Sequence, residues 1–197
     1  YGYSSVSDIQ VLCPGRKGEL GTGELNKLLR EAVNPPEKGK AEVKIRGNLF
    51  RLGDKVMQVK NDYKLPWTKD DDTSGEGVFN GDMGVVTRID RAAGAIEVRI
   101  DDKNVLYDFD HAASELEPAY AVTVHKSQGN EFTAVVMPLL RVPAQLCYRN
   151  LLYTGVTRAK QLLILVGRRE VLAAMIENDR KTRRYTGLKY FLTREEE

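Results

Sequence analysis

Cysteine is scarce in this chain of 197 residues: Cys13 and Cys147 are the only two, far apart and each in apolar surroundings. They read as reduced core residues, because disulfide frameworks and metal sites need paired or clustered ligands. No apolar run approaches the length of a membrane span, and no signal peptide opens the chain. An excess of one charge is also lacking. With 30 basic and 28 acidic residues the net charge is +2, so any nucleic-acid surface has to be a local patch. No G-x-x-x-x-G-K-[ST] occurs, which excludes a Walker A phosphate cradle, and no Asp-Glu pair follows an apolar strand as a magnesium site would require. The first residue is Tyr1 and not Met, so the chain is expected to be a piece of something larger.

What is present is an ordinary globular balance, 42% hydrophobic and 29% charged, enough for one or two domains with a sizeable core. "DIQVLC" (Asp8–Cys13) reads as a buried strand, "PGRKGELG" as a loop, and "TGELNKLLREAV" as a helix with Leu25, Leu28 and Leu29 on one face and Thr22 as its N-cap. From Val43 to Phe109 the grammar changes to short alternating segments divided by the turn signals "NGD" and "DRAAGA", which suggests a small barrel. The polar, acidic stretch Leu65–Gly77 is expected to be a mobile loop. After "HAASEL" come a strand "PAYAVTV", a turn "HKSQG" into a helix, a strand "TAVVMPLL", a helix "QLCYRNLLYTGVTRAK", a strand "QLLILVG" and a helix "RREVLAAMIEN". The expected class is α/β: one parallel-sheet domain, 1–38 and 117–180, interrupted by a barrel at 39–116 and followed by a tail at 181–197.

Two clusters carry chemistry. In "AVTVHKSQGNEF" (Ala121–Phe132) an apolar strand delivers a group of polar side chains, including one of only two histidines, to the sheet edge where ligands gather. Ser127, Gln128 and Gly129 offer short donors and bare backbone to a phosphate. Glu131 would accept from a ribose hydroxyl or hold an arginine, and Thr123 and His125 can donate to a sugar–phosphate chain. The alternative is a surface turn with satisfied polar groups. In "LLYTGVTRAK" (Leu151–Lys160), Arg158 has the planar, permanently charged fork suited to a phosphate. The alternative is a helix-face arginine in a surface ion pair.

Together "VTVHKSQGNEF" and, about twenty residues later, "LLYTGVTRAK" resemble the fifth and sixth motifs of superfamily 1 helicases. "GDKVMQVKNDY" and "GVFNGDMGVV" look like the SH3-like insert in the second motor domain of the RecD-like DNA helicases (the exodeoxyribonuclease V alpha family), and "VLCPGRKGELGTGELNKLLREAVNPP" resembles the opening of that domain. The resemblance covers nearly the whole chain and is weakest over the last fifteen residues. It implies a RecA-like second motor domain with an inserted SH3-like β-barrel. Gly15 departs from it, standing where the group commonly carries Met.

The resemblance implies half of an ATP-driven DNA motor, moving 5′→3′ and serving repair or recombination, with ATP held between two RecA-like domains. Arg158 would be the catalytic finger on the γ-phosphate, with Gln128, Gly129 and Glu131 beside the nucleotide. Thr123, His125 and Lys126 would face the DNA, joined by Arg16 and Lys17, which are otherwise solvated loop charges. ATP and Mg2+ are the implied cofactors, with the magnesium ligands outside this chain. Single-stranded DNA, duplex junctions, the N-terminal motor domain and nuclease-complex subunits are the implied partners, in a bacterial cytoplasm and without a membrane. In the barrel, Lys55, Lys60, Lys64 and Arg88 are a candidate DNA-facing patch, and Trp67 either stacks on a base or anchors packing. A relaxase-linked or RNA helicase, or a non-catalytic nucleic-acid-binding module, are the rival readings.

Overall fold

The computed structural model describes residues 2–179, so the expected tail lies outside the described part. The chain opens with β1 (Ile9–Cys13) and α1 (Thr22–Val33). It then runs through β2 (Glu42–Ile45), β3 (Asn48–Arg51), β4 (Lys55–Gln58), β5 (Asp62–Thr68), β6 (Ser74–Val78), β7 (Met83–Asp90), β8 (Ala95–Ile100) and β9 (Lys103–Asp108). A short α2 (Phe109–Glu115) and β10 (Leu116–Pro118) lead back to β11 (Ala121–Thr123), β12 (Phe132–Leu139), α3 (Arg149–Val156), β13 (Ala159–Gly167) and α4 (Arg169–Glu177).

β1, β11, β12 and β13 form one parallel sheet in the order β11-β1-β12-β13, so its first strand and its last three are separated by the whole insert. Crossover helices and continuous apolar strands are what a parallel sheet requires. The insert is a seven-stranded antiparallel sheet, β10-β4-β7-β8-β9-β5-β6, with β2 and β3 paired as a separate hairpin. Phe50, Val56, Val86, Ile96, Val98, Val105 and Tyr107 fill its interior. Met57, with Val59 and Met83 partly buried beside it, instead packs into the core of the parallel sheet with Leu12, Val122, Met137 and Leu152. The two sheets therefore share an apolar seam.

Several expectations change. Thr22 is the first residue of α1 and not its cap; Gly21 stands there, and no side chain caps the helix. A Cβ at Gly21 would lie 2.4 Å from the Arg16 carbonyl oxygen, so the loop leaves no room for a capping residue. Leu65–Gly77 is not a loop but most of the β5–β6 hairpin. Its acidic tip is held down: Asp70 takes a bidentate pair from Arg99 at 3.0 and 2.7 Å, and Asn104 donates to it at 2.9 Å. Trp67 is a packing anchor, lying so close over Gly75 that a Cβ there would meet the ring at 2.4 Å. "HKSQG" is a chain of turns and starts no helix, and the helix expected from Gln145 to Lys160 is confined to α3 after a 3-10 turn at Ala144–Leu146.

Lys55 is the clearest displacement from the proposed surface patch. It is 5% exposed, and its Nζ donates to the Ile9 carbonyl at 3.2 Å, tying β4 to β1. Burial lowers its pKa to about 8. Below that pH the folded and unfolded chains both carry the proton, and the cost of the buried charge stands in full. Between about 8 and the ordinary 10.5 the unfolded chain binds the extra proton, so this residue makes stability rise with pH. The gain across that window is on the order of 2–3 kcal/mol. Denaturant midpoints measured from pH 7.5 to 10 are expected to show this rise in the parent and lose it in Lys55→Met; equal slopes in the two would contradict the assignment.

A second joint is polar. Asp54, 2% exposed, accepts from Asn34 Nδ2 at 2.8 Å, the Arg51 backbone N–H at 2.8 Å and the Tyr120 hydroxyl at 3.0 Å. These donors come from the C-cap of α1, the end of β3 and the approach to β11. Burial pushes the Asp54 carboxyl above the usual carboxylate range although the donors pull it down.

Candidate functional site

β11 ends beside β1 with Thr123 opposite Cys13, and the Val124 N–H closes onto the Cys13 carbonyl at 3.0 Å. From there residues 124–131 carry the chain from the C-terminal edge of the sheet to its N-terminal edge, where β12 begins. Buried Val124 and Ser127 anchor the path, and Ser127 Oγ donates to the Val124 carbonyl at 2.8 Å. The Thr123 hydroxyl, on a side chain only 8% exposed, accepts from the Lys126 N–H at 3.2 Å. Thr123 thus faces inward and shapes the turn. One helical turn forms, with Ser127 N–H bonded to the Thr123 carbonyl at 3.1 Å, and it stops at Gly129, whose φ of +91° is the left-handed conformation that favours glycine. That break is why no helix follows.

The same turn sorts its side chains. His125 is exposed, and its Nε2 lies 3.4 Å from the Tyr148 hydroxyl. Lys126 pairs with Glu117 at 2.8 Å, and Arg16 pairs with the same carboxylate at 3.1 Å, so one acid neutralises part of both cations. Lys17 is exposed in the loop after β1. It lines a cleft of about 670 Å³ with Gly15, Leu140, Arg141, Arg168 and one acid, Glu19. This cleft sits past the C-terminal ends of β1, β12 and β13. Arg141 and Arg168 were missed by sequence reasoning because they lie outside both motif segments, Arg141 in a loop and Arg168 at the start of α4 beside Arg169. The rule that ligands gather at the C-terminal ends of parallel strands, applied to every strand end, would have found them. Cys13 at the end of β1 is no nucleophile here: burial pushes its thiol up to about 12.

At the opposite edge Gln128 and Gly129 are exposed, and nothing lies within 4 Å of where a Gly129 side chain would stand. Glu131 pairs with Lys160 at 3.5 Å and not with an arginine. α3 packs close to β12, since a Cβ on Gly155 would reach Met137 Cε at 2.5 Å. The helix ends at Thr157, and the guanidinium of Arg158 then folds back onto three neutral oxygens. Nε donates to the Thr154 carbonyl at 3.3 Å, one terminal nitrogen to the Asn130 carbonyl at 3.2 Å and the other to Thr157 Oγ1 at 3.3 Å. Among the described residues no carboxylate pairs with it. The surface ion pair considered for Arg158 is therefore absent, and its charge stays available to an anion. Among the described residues no group of three or more His, Cys, Asp or Glu is placed to hold a metal, and no helix is long and apolar enough to cross a membrane.

Two family models match this chain: the SH3 domain of ATP-dependent RecD-like DNA helicases over residues 25–100, and the UvrD-like helicase C-terminal domain over residues 118–166. The ATP-dependent RecD2 DNA helicase of Deinococcus radiodurans is 35% identical over 159 residues, covering 81% of this chain and 20% of that protein. The RecBCD enzyme subunit RecD of Mycolicibacterium smegmatis is 28% identical over 186 residues, covering 94% of this chain and 29% of that one. The chain thus spans less than a third of either relative. Among solved structures, a Pif1 helicase from Bacteroides in complex with ADP-AlF3 and ssDNA superposes with a TM-score of 0.54 at 19% identity, over 91% of this chain and 44% of that one. That likeness establishes the RecA-like fold.

Proposed function

The chain belongs to the RecD-like helicases of superfamily 1, and from that membership we propose that it is the C-terminal motor half of an ATP-dependent DNA helicase. ATP hydrolysis, single-strand translocation with 5′→3′ polarity, and a place in repair or recombination in the bacterial cytoplasm are parts of this reading. The motor domain is taken as 1–38 with 117–180, the insert as 39–116 and the tail as 181–197. The observation that carries the reading is Arg158: a guanidinium at the sheet edge beside Gly129–Glu131, held among the described residues by neutral oxygens alone. A cation so held stabilises charge that develops on a transferring phosphoryl group.

Residues divide by sheet edge. At the N-terminal edge, Arg158 reaches the γ-phosphate, Gly129 brings bare backbone to the nucleotide, and Gln128 and Glu131 supply its polar contacts. Glu131, already paired with Lys160, has one oxygen left for a ribose hydroxyl. At the C-terminal edge, His125, Lys126, Arg16 and Lys17 meet the DNA backbone, with Arg141 and Arg168 lining the cleft beside Lys17 and Thr123 shaping the turn from within. A single segment, 123–131, therefore joins two ligand sites, and movement at one edge is transmitted to the other. Mg2+ would arrive with ATP, its ligands supplied by groups outside this chain. The N-terminal motor domain, duplex junctions and nuclease-complex subunits complete the partners.

The 197-residue chain alone is expected to show no ATP hydrolysis above background with or without single-stranded DNA, because its sequence has no Walker A cradle. The full-length protein is expected to hydrolyse ATP and to do so faster with DNA. DNA-stimulated turnover by the isolated chain, or none by the full-length protein, refutes the reading.

A further inference from the structure

The insert and the arginine at the N-terminal edge are linked through one residue. Asn130 Nδ2 donates to the Gly81 carbonyl at 3.1 Å, while the Asn130 carbonyl accepts from Arg158 at 3.2 Å. The two residues are in ordinary contact: a Cβ on Gly81 would stand 3.5 Å from Asn130 Nδ2. The turn that offers the Gly81 carbonyl is itself rigid. The Gly81 N–H bonds to the Gln58 carbonyl at 2.9 Å, the Gln58 N–H to the Asp82 carbonyl at 2.8 Å, and the Asp82 carboxylate takes the Phe79 N–H at 2.8 Å. Gln58 is fully buried, donating to Glu115 at 2.8 Å and accepting from the Tyr107 hydroxyl at 3.1 Å. On the other side Asn130 follows Gly129, which has φ +91° and open space around it. The Asn130 N–H is held by the Ser127 carbonyl at 3.1 Å, and the Asn130 side chain adds a second anchor, on the insert, to the residue whose carbonyl meets Arg158.

We propose that Asn130 is a positioning residue: it takes its orientation from the insert's turn Phe79–Asp82 and thereby aims the guanidinium of Arg158. The insert is then part of the catalytic geometry as well as an appendage beside it. This rests on the reading of Arg158 as the γ-phosphate group. Asn130→Asp keeps the shape, removes the donor and sets a carboxylate oxygen against the Gly81 carbonyl. Ala removes the donor without adding charge. Asn130 is half-exposed, so neither change threatens the core.

The test is steady-state, DNA-stimulated ATP hydrolysis by the full-length protein carrying Asn130→Asp, Asn130→Ala, Arg158→Ala or the pair Asn130→Asp with Arg158→Ala. Loss of aim is expected to lower kcat about tenfold or more, with KM for ATP and the single-strand Kd held within about twofold. In the Arg158→Ala background the second change is expected to move kcat less than about twofold, since the two act as a unit. An impaired Arg158→Ala beside parental Asn130→Asp and Asn130→Ala overturns this inference alone. So do losses that multiply in the double variant, or a KM that shifts while kcat stays. A parental Arg158→Ala overturns the assignment of the arginine and this inference with it.

Discussion

Replacing Arg158 with alanine in the full-length protein is expected to lower kcat for ATP hydrolysis by about 10³-fold or more, the scale of an arginine finger. The affinity for single-stranded DNA is expected to stay near the parental value, because the residue lies at the sheet edge away from the basic cleft. The fold has little reason to suffer. Among the described residues the Arg158 guanidinium makes three bonds, all to neutral oxygens at 3.2–3.3 Å, two within its own helix end and one to Asn130. Arg158→Lys keeps the charge but not the planar fork, and recovery by it is expected to be poor. Turnover, KM for ATP and DNA Kd, measured together, check the assignment. If DNA binding collapses while turnover survives, the arginine serves the nucleic acid.

Asp54→Ala is expected to cost about 3–5 kcal/mol of folding stability, because it takes the shared acceptor from three buried donors. Three donors, Asn34 Nδ2, the Arg51 N–H and the Tyr120 hydroxyl, lose their acceptor where water has little access. Each orphaned donor costs about 1–3 kcal/mol before relaxation. Arg51, only 3% exposed, keeps Glu42 at 3.0 Å and the Asn34 carbonyl, so the damage centres on the junction of α1, β3 and β11. Tyr120→Phe removes one donor and is expected to cost about 1 kcal/mol. Chemical denaturation reads both; an Asp54→Ala loss below about 1 kcal/mol would show that the joint carries no stability.

The α/β grammar was legible where periodicity is strong. "DIQVLC", "TAVVMPLL" and "QLLILVG" are strands of one parallel sheet, and "TGELNKLLREAV" is a helix. The two motif segments were legible because unlike polar groups crowd a short stretch. Errors fell where a distant contact overrides local composition. Residues 65–77 look like a loop by their acids and glycines, yet Arg99 and Asn104 hold Asp70 and Gly75 receives the Trp67 ring. Lys55 looks like a surface cation, yet β4 lies against β1 and its ammonium meets a backbone carbonyl.

Sequence by itself determined the fold class, the interruption of one domain by another, and the residue types at the two motifs, because periodicity and residue chemistry are local properties. Tertiary structure alone decided which charges remain available. Glu117 neutralises part of Arg16 and Lys126, Lys160 takes Glu131, and Arg158 is left with neutral acceptors. It also decided that Asn130 ties the insert to that arginine across 49 residues of sequence. Such pairings depend on which strand edges meet, and chain topology sets that from contacts far apart in sequence.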